Sequence, residues 1–402
     1  LQSENQVANG TDPLRMAFRR QMPIAQSYAY FDHAAVAPLP EPTSKRINEV
    51  LYQATHQGDV RWPEWAAAAE QTRKTAAKLV GCERSEIALI PNTTFGISVI
   101  AEGLPWSPGD NVVVPANEFP SNLVPWRNLA RRGVQVRLVP VGEGGFFTAQ
   151  DIERLIDDRT RLVSVSWVGF YTGFRCPIQE IVELAHGYRC LVFLDAIQGL
   201  GAFPLDVQKV PVDFLAADGH KWMLGPEGAG LLYIRGQHLD SLQPLQVGWN
   251  SLRSNGFDSN SVELKHSAAR YEGGSYNMLG MAGFGASLEL LLELGCNRTE
   301  SLVEACILEN VAELEKELHS AGFLVDLPRN PAHRSGILGI RWEQADESNY
   351  LQARKHLLER NIVTSVRGGR LRVATHAYND RQDRQQLVSA LVDFRGQPKV
   401  PD

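Results

Sequence analysis

"VDFLAADGHKWMLGPEGAGLLYI", residues 212–234, carries an apolar run, a lone lysine, a glycine-rich turn and a second apolar run. "VDFLAA" reads as a buried strand and "LLYI" as another, so Lys221 stands on the link that leaves a strand end. A lysine at such a junction is ordinarily a solvated surface residue. The stretches on either side of it in the chain give it a different setting.

From about residue 64 to 235 short apolar runs alternate with amphipathic segments. "EIALIP" precedes a helix opening near Thr94, and "NVVVPA" leads through "EFPSN" into "LVPWRNLARR". "QVRLVPV" precedes "TAQDIERLID", with Thr148 as the expected N-cap. "TRLVSVSWV" precedes "PIQEIVELAHGY", and "CLVFLDA" and "VDFLAA" follow. This pattern predicts buried parallel strands of an α/β sheet covered by helices on both faces. Beyond the apolar helical stretches "MAGFGASLELLLELG" and "NRTESLVEACILENVAELEKELHSAG", the runs "FLVDLP", "GILGIRW" and "RLRVATH" predict a smaller sheet with its own helices. The expected organisation is a large domain over 41–284 and a smaller C-terminal α/β domain over 285–402. The segment 1–40 is expected to pack with the small domain.

With 402 residues, 44% hydrophobic and 21% charged, the composition is that of an ordinary globular protein. A net charge of −6, without basic runs interleaved with aromatics, argues against nucleic acid as a partner. No stretch reaches the roughly 20 apolar residues of a membrane span, and the opening lacks a signal-like apolar core. Five cysteines without CxxC pairing, and histidines without ligand spacing, point to buried thiols in the cytoplasm and to no metal site.

Ligands of open α/β sheets sit at the carboxyl ends of the strands. After "EIALIP" come Thr93, Thr94 and Phe95 at a helix start, able to bind phosphate through backbone N–H groups and the helix dipole. Taken alone, either threonine could equally be a simple N-cap. After "CLVFL" comes Asp195, a carboxylate whose burial calls for a cation. After "VDFLAA" come Asp218, His220 and Lys221. Phosphate cradle, buried anion and lysine match pyridoxal 5′-phosphate (PLP), whose aldehyde joins a lysine in a Schiff base. A nucleotide site is the rival, but GxGxxG and Walker patterns are absent, and "GPEGAG" precedes a strand where a phosphate loop would precede a helix.

In order along the chain, "YFDHAAVAPLP", "NTTFGI", "EFPSNLVPW", "LDAIQGLGAFPLDV", "ADGHKWMLGPEGAGLLY", "VGWNS", "RYEGGSYN" and "VRGGRLRVATHAYN" resemble the class V aminotransferase and cysteine desulfurase-like family, PLP enzymes of fold type I that include an isopenicillin N epimerase-like branch. The resemblance implies a mostly parallel seven-stranded sheet in the large domain, with Lys221 as the Schiff-base lysine. It assigns Asp195 to the pyridinium nitrogen, Gln198 to the phenolic oxygen, and Thr94, His220 and amides near Phe95 to the phosphate. Phe119 would stack on the ring and Arg372 would grip the substrate α-carboxylate. Ser275 would reach the phosphate of a neighbouring subunit, in a homodimer with shared active sites.

Three departures from the family stand out. Asp218 replaces a phosphate-binding serine and is expected to point away. Phe170 replaces an asparagine near the phenolic oxygen. The stretch "SVRGGRLRV" has no cysteine where desulfurases carry their persulfide-forming thiol, and Cys82, Cys176, Cys190, Cys296 and Cys306 are expected to be packing residues. The implied activity is on a small amino acid through an external aldimine, with Lys221 as base and transamination favoured. C–S lyase or desulfurase-like β-elimination and epimerisation are the alternatives. A non-catalytic PLP-binding module is a further one, opposed by the joint presence of Asp195, Lys221 and Arg372. His33, Tyr171, Trp249 and Tyr276 are the side-chain pocket candidates.

Overall fold

The computed structural model describes residues 2–142, 144–253 and 262–396, with side chains from residue 11 onward. In chain order the strands are β1 (Ala29–Tyr30), β2 (Ile87–Ile90), β3 (Asn111–Pro115), β4 (Gln135–Val139), β5 (Thr160–Ser166), β6 (Leu191–Asp195) and β7 (Phe214–Asp218). They continue with β8 (Gly230–Ile234), β9 (Leu324–Asp326), β10 (Ile337–Arg341), β11 (Ile362–Val363), β12 (Ser365–Arg367) and β13 (Arg370–Ala374).

Seven strands form the main sheet in the order β2-β8-β7-β6-β5-β3-β4. Each of the seven apolar runs became one of these strands. Alternate residues serve opposite faces, as a period of two requires. Val113, Val163, Val165 and Leu215 meet helices 62–80, 178–187 and 278–293, while Val112, Val114, Phe193 and Phe214 meet helix 93–103 and Trp126. Thr148 caps the helix at Ala149–Glu153 as expected, in a capping box with Asp151.

The sheet is mostly parallel, as the resemblance implies, and β8 is its antiparallel strand, running against both β7 and β2. The link from Gly219 to Ala229 contains no helix, and without a crossover two adjacent strands can only be antiparallel.

The second sheet is antiparallel, in the order β12-β13-β10-β9. The stretch around 366–370 is a tight hairpin. Arg367 pairs directly with Arg370, and Gly368 and Gly369 both adopt positive φ, 58° and 68°. A two-residue type I′ turn demands that at both positions, and a Gly-Gly pair meets it without strain.

The N-terminal segment is stitched into this half. β1 pairs parallel with β11, and the Ala374 N–H donates to the Phe31 carbonyl at 2.7 Å. The chain then crosses to the main sheet, where the Ala37 N–H donates to the His220 carbonyl at 2.7 Å. Gly173, on the loop after β5, lets that loop pack against β10: a Cβ there would lie 2.2 Å from the Ile337 carbonyl oxygen.

Candidate active site

β4 lies on one side of β3 and β5 on the other, so the order of the main sheet reverses at the β3/β5 boundary. Loops leaving strand ends on either side of such a reversal diverge and open a crevice. A cavity of about 340 Å³ lies there. Phe119 follows β3, Ser166 ends β5, Asp195 ends β6, and Asp218, His220 and Lys221 leave β7; all six line the cavity. Ala34 to Val36 close it from the N-terminal segment, while Arg367 and Arg372 reach it from the second sheet.

Lys221 is 9% exposed, and burial lowers its pKa to about 8 despite the pull of Asp195. Asp195 is buried, and desolvation raises its pKa to about 6, with the Ile197 N–H and the Lys221 charge opposing. A carboxylate so placed gains by facing a cation. Two features hold the lysine's link rigid. Leu224, three residues on and fully buried, sits at φ 57°, a conformation that a leucine adopts only under constraint. Gly219 and Gly225 pack on Phe284, where a Cβ would lie within 2.8 Å of its ring.

The helix after β2, Thr93–Gly103, points its first turn into the cavity. Its N-cap is Asn92, whose side chain accepts from the Phe95 N–H, so neither threonine caps it. The Thr93 hydroxyl accepts the Asp218 N–H at 2.9 Å and is thereby committed to joining this helix to β7. Thr94 is exposed and hydrogen-bonds Ser121 at 2.8 Å. Gln198 donates to the Ala34 carbonyl at 3.0 Å and accepts from Trp222 Nε1 at 2.8 Å, which leaves one amide hydrogen to use.

Asp218 does not point away as expected: it lines the cavity, with Oδ2 3.0 Å from His220 Nδ1. That distance lacks hydrogen-bond geometry, and Asp218 Oδ1 and His220 Nδ1 are both buried without a hydrogen-bond partner. Phe119, 42% exposed, meets Phe170 edge-on at 5.2 Å, and Lys221 Nζ lies 5.6 Å from the Phe119 ring centre.

Arg372 is 2% exposed and held on three sides: Nε donates to Ser365 Oγ, Nη1 to the Phe170 carbonyl and Nη2 to Asp32 Oδ1, at 2.8–3.0 Å. One N–H remains on each terminal nitrogen, the fork that one carboxylate takes bidentately.

Several residues lie elsewhere. His33 is fully buried between Tyr378 and the Ala374 carbonyl, and Tyr171, Trp249 and Tyr276 are absent from the cavity lining, so all four pocket candidates are withdrawn. Ser275 is exposed and does not reach this chain's own cavity. Sequence reasoning also missed Asp32, Ser166 and Arg367. The strand-end rule could have found Ser166, but the other two arrive by tertiary packing of a different sheet.

The donors present fit PLP. A helix start and the His220 imidazole at the cavity wall suit its phosphate, a buried carboxylate its pyridinium, an aromatic face its ring and an amine of lowered pKa its aldehyde. Fold and site together define a PLP-dependent enzyme of fold type I, and PLP is its cofactor. The chain belongs to the aminotransferase class-V family, whose model it matches over residues 29–382.

Among its relatives is a probable cysteine desulfurase of Methanothermobacter thermautotrophicus, 29% identical over 94% of this chain and 97% of that protein. Another is a cysteine desulfurase of Shigella sonnei, 31% identical over 78% of this chain and 77% of the other. The apo cysteine desulfurase from Thermococcus onnurineus has the same fold, with TM-score 0.84 and 23% identity over 94% of this chain and 97% of that one. The cystine C–S lyase C-DES, solved with its product cysteine persulfide, has TM-score 0.85 and 23% identity over 93% of this chain and 99% of that one. These relatives break C–S bonds. They favour the β-elimination alternative over the transamination that the sequence reading preferred.

Proposed function

We propose that the protein cleaves the C–S bond of a cysteine-type amino acid by β-elimination and releases sulfur as a small molecule, without a protein persulfide. The observation that carries this reading is the hairpin Arg367-Gly368-Gly369-Arg370. The family's desulfurases need a thiol on a reach of chain here, and a two-residue turn offers neither the thiol nor the reach.

The cysteines support it. Cys176, Cys190, Cys296 and Cys306 are buried and Cys82 is half-buried. Burial pushes all five thiols up, Cys190 and Cys306 to about 11 and Cys296 to about 12. None lines the cavity.

When bound, PLP supplies an electron sink for negative charge at the substrate Cα. Arg372 grips the α-carboxylate and, held by Asp32, fixes the substrate relative to Lys221. The Lys221 amine takes the Cα proton, and its lowered pKa keeps a neutral fraction available near neutral pH. Asp195 would hold the ring nitrogen, and Phe119 would shield the ring from water. His220 and the helix start at Thr93 would hold the phosphate, assisted by Thr94 and the amide region of Phe95. Gln198 would offer its spare N–H to the phenolic oxygen. With L-cysteine and one water the balance is pyruvate, ammonia and hydrogen sulfide.

The test is incubation with L-cysteine and L-cystine, with and without a keto acid. Pyruvate and ammonia should form without the keto acid and survive replacement of each cysteine in turn. Strict dependence on the keto acid would make it a transaminase. A persulfide mapped to one of the five cysteines and required for turnover would overturn direct release.

The working unit proposed is a homodimer. Ser275 lies on a segment that packs beside exposed Leu245, Val247 and Trp249, with Asn250 Nδ2 donating to the Gly274 carbonyl. An apolar face next to a stranded site residue suits a second copy, whose phosphate end Ser275 would complete. Light scattering should give the mass of two chains, and full activity in a monomer would refute the shared site.

A further inference from the structure

Side chains two apart on a strand share a face, so Ser365 and Arg367 on β12 lie on the same face as Arg370 and Arg372 on β13. Three guanidinium groups thus crowd one face of a two-strand hairpin. Two of them are neutralised: Arg370 Nη1 lies 2.9 Å from Asp326 and Arg372 Nη2 3.0 Å from Asp32. Among the described residues no carboxylate pairs with Arg367, whose hydrogen bond goes to the carbonyl of its own neighbour Val366 at 2.8 Å. Arg367 nevertheless lines the same cavity as Lys221 and Arg372.

Like charges placed together on a strand pair are destabilising unless an anion joins them. Arg372, anchored deep, has its two free N–H groups occupied once a substrate α-carboxylate is bound. Arg367, exposed at the cavity edge, is then the cation left for another group. We propose that Arg367 is a specificity-determining residue that binds a second, distal acidic group on the substrate, so that the preferred substrates are amino acids with an anionic side-chain terminus. This rests on the reading of Arg372 as the α-carboxylate anchor. The substrate class it names is a cysteine whose sulfur carries a carboxylate-bearing substituent, of which L-cystine is the simplest disulfide case.

The probes are S-carboxymethyl-L-cysteine and S-carbamoylmethyl-L-cysteine, which are nearly isosteric and differ by one negative charge. Each is titrated into the PLP-loaded enzyme while the cofactor absorbance is followed. Binding is read without any need for cleavage, so the outcome is separate from whether β-elimination is the reaction. The wild-type half-saturation constants should favour the carboxymethyl compound on the order of tenfold, as one charged hydrogen bond gives. Arg367→Gln should bring that ratio near one, and Arg367→Lys should restore part of it. A ratio near one in the wild type, a ratio that persists in Arg367→Gln, or no spectral response to the carboxymethyl compound would each overturn the assignment.

Discussion

Replacing Lys221 with alanine should abolish the covalent attachment of PLP and lower turnover by at least about a hundredfold, toward 10⁴-fold. Lys221 is the amine in the cavity, and its burial beside Asp195 equips it both to be joined by an aldehyde and to move a proton. Borohydride treatment of the wild type followed by digestion should place the label on the peptide containing Lys221. A label on any other lysine would sink the assignment. The pH dependence has a definite sign. Only the neutral amine attacks an aldehyde, so the rate at which apo-protein captures PLP should rise with pH and level off above about 8, where Lys221 has lost its proton. A lysine with an ordinary pKa would keep accelerating well past that point.

The second large effect is expected at Arg372. Arg372→Ala removes the cation opposite Lys221 and should lower kcat/KM by about 30-fold or more, from a contact of roughly 2–5 kcal/mol. PLP capture should survive, because Arg372 bonds Asp32, Ser365 and the Phe170 carbonyl and the proposed cofactor ligands lie elsewhere. The substitution also takes the ion-pair partner from Asp32 and leaves it the hydrogen bond from the Ser365 hydroxyl, which is a separate source of damage. The double variant Asp32→Asn/Arg372→Ala resolves the two: it should recover thermal stability without recovering kcat/KM. If activity returned with stability, Arg372 would be a structural residue and the substrate anchor would have to be sought elsewhere. Unchanged kcat/KM in the single variant would have the same consequence.

The strands of the main sheet were legible because each is a short apolar run bounded by turns, and burial on both faces leaves no other use for runs such as "NVVVP" or "LVFLD". Thr148 was legible as a cap for a local reason too, since a capping box lies within four residues of chain. Lys221, Asp195 and the helix start at Thr93 could be assembled from sequence alone, since strand ends of a parallel sheet meet on one edge.

Direction and partnership were not legible. The reversal of β8 depends on a link without a helix, and a glycine-rich stretch does not announce which way it returns. Asn92, one residue earlier, took the capping role open to Thr93 or Thr94, and freed Thr93 to bind β7. His33, sited near the Lys221 link by its neighbours Ala34 to Val36, stands on a turn over 33–35 that sends its ring into the core to meet Tyr378. Asp218 turned to face the cavity beside His220, whose Nδ1 lies 3.0 Å from its Oδ2.

Local periodicity and hydrophobicity were enough to specify the sheet, the edge on which chemistry collects and the lysine that stands there. Which cations remain free emerges on folding. Asp32 and Asp326 reach Arg372 and Arg370 from distant parts of the chain and leave Arg367 open. Charge neutralisation is settled by contacts of a few ångströms between elements that meet only in the folded chain, and no pattern along the sequence encodes them.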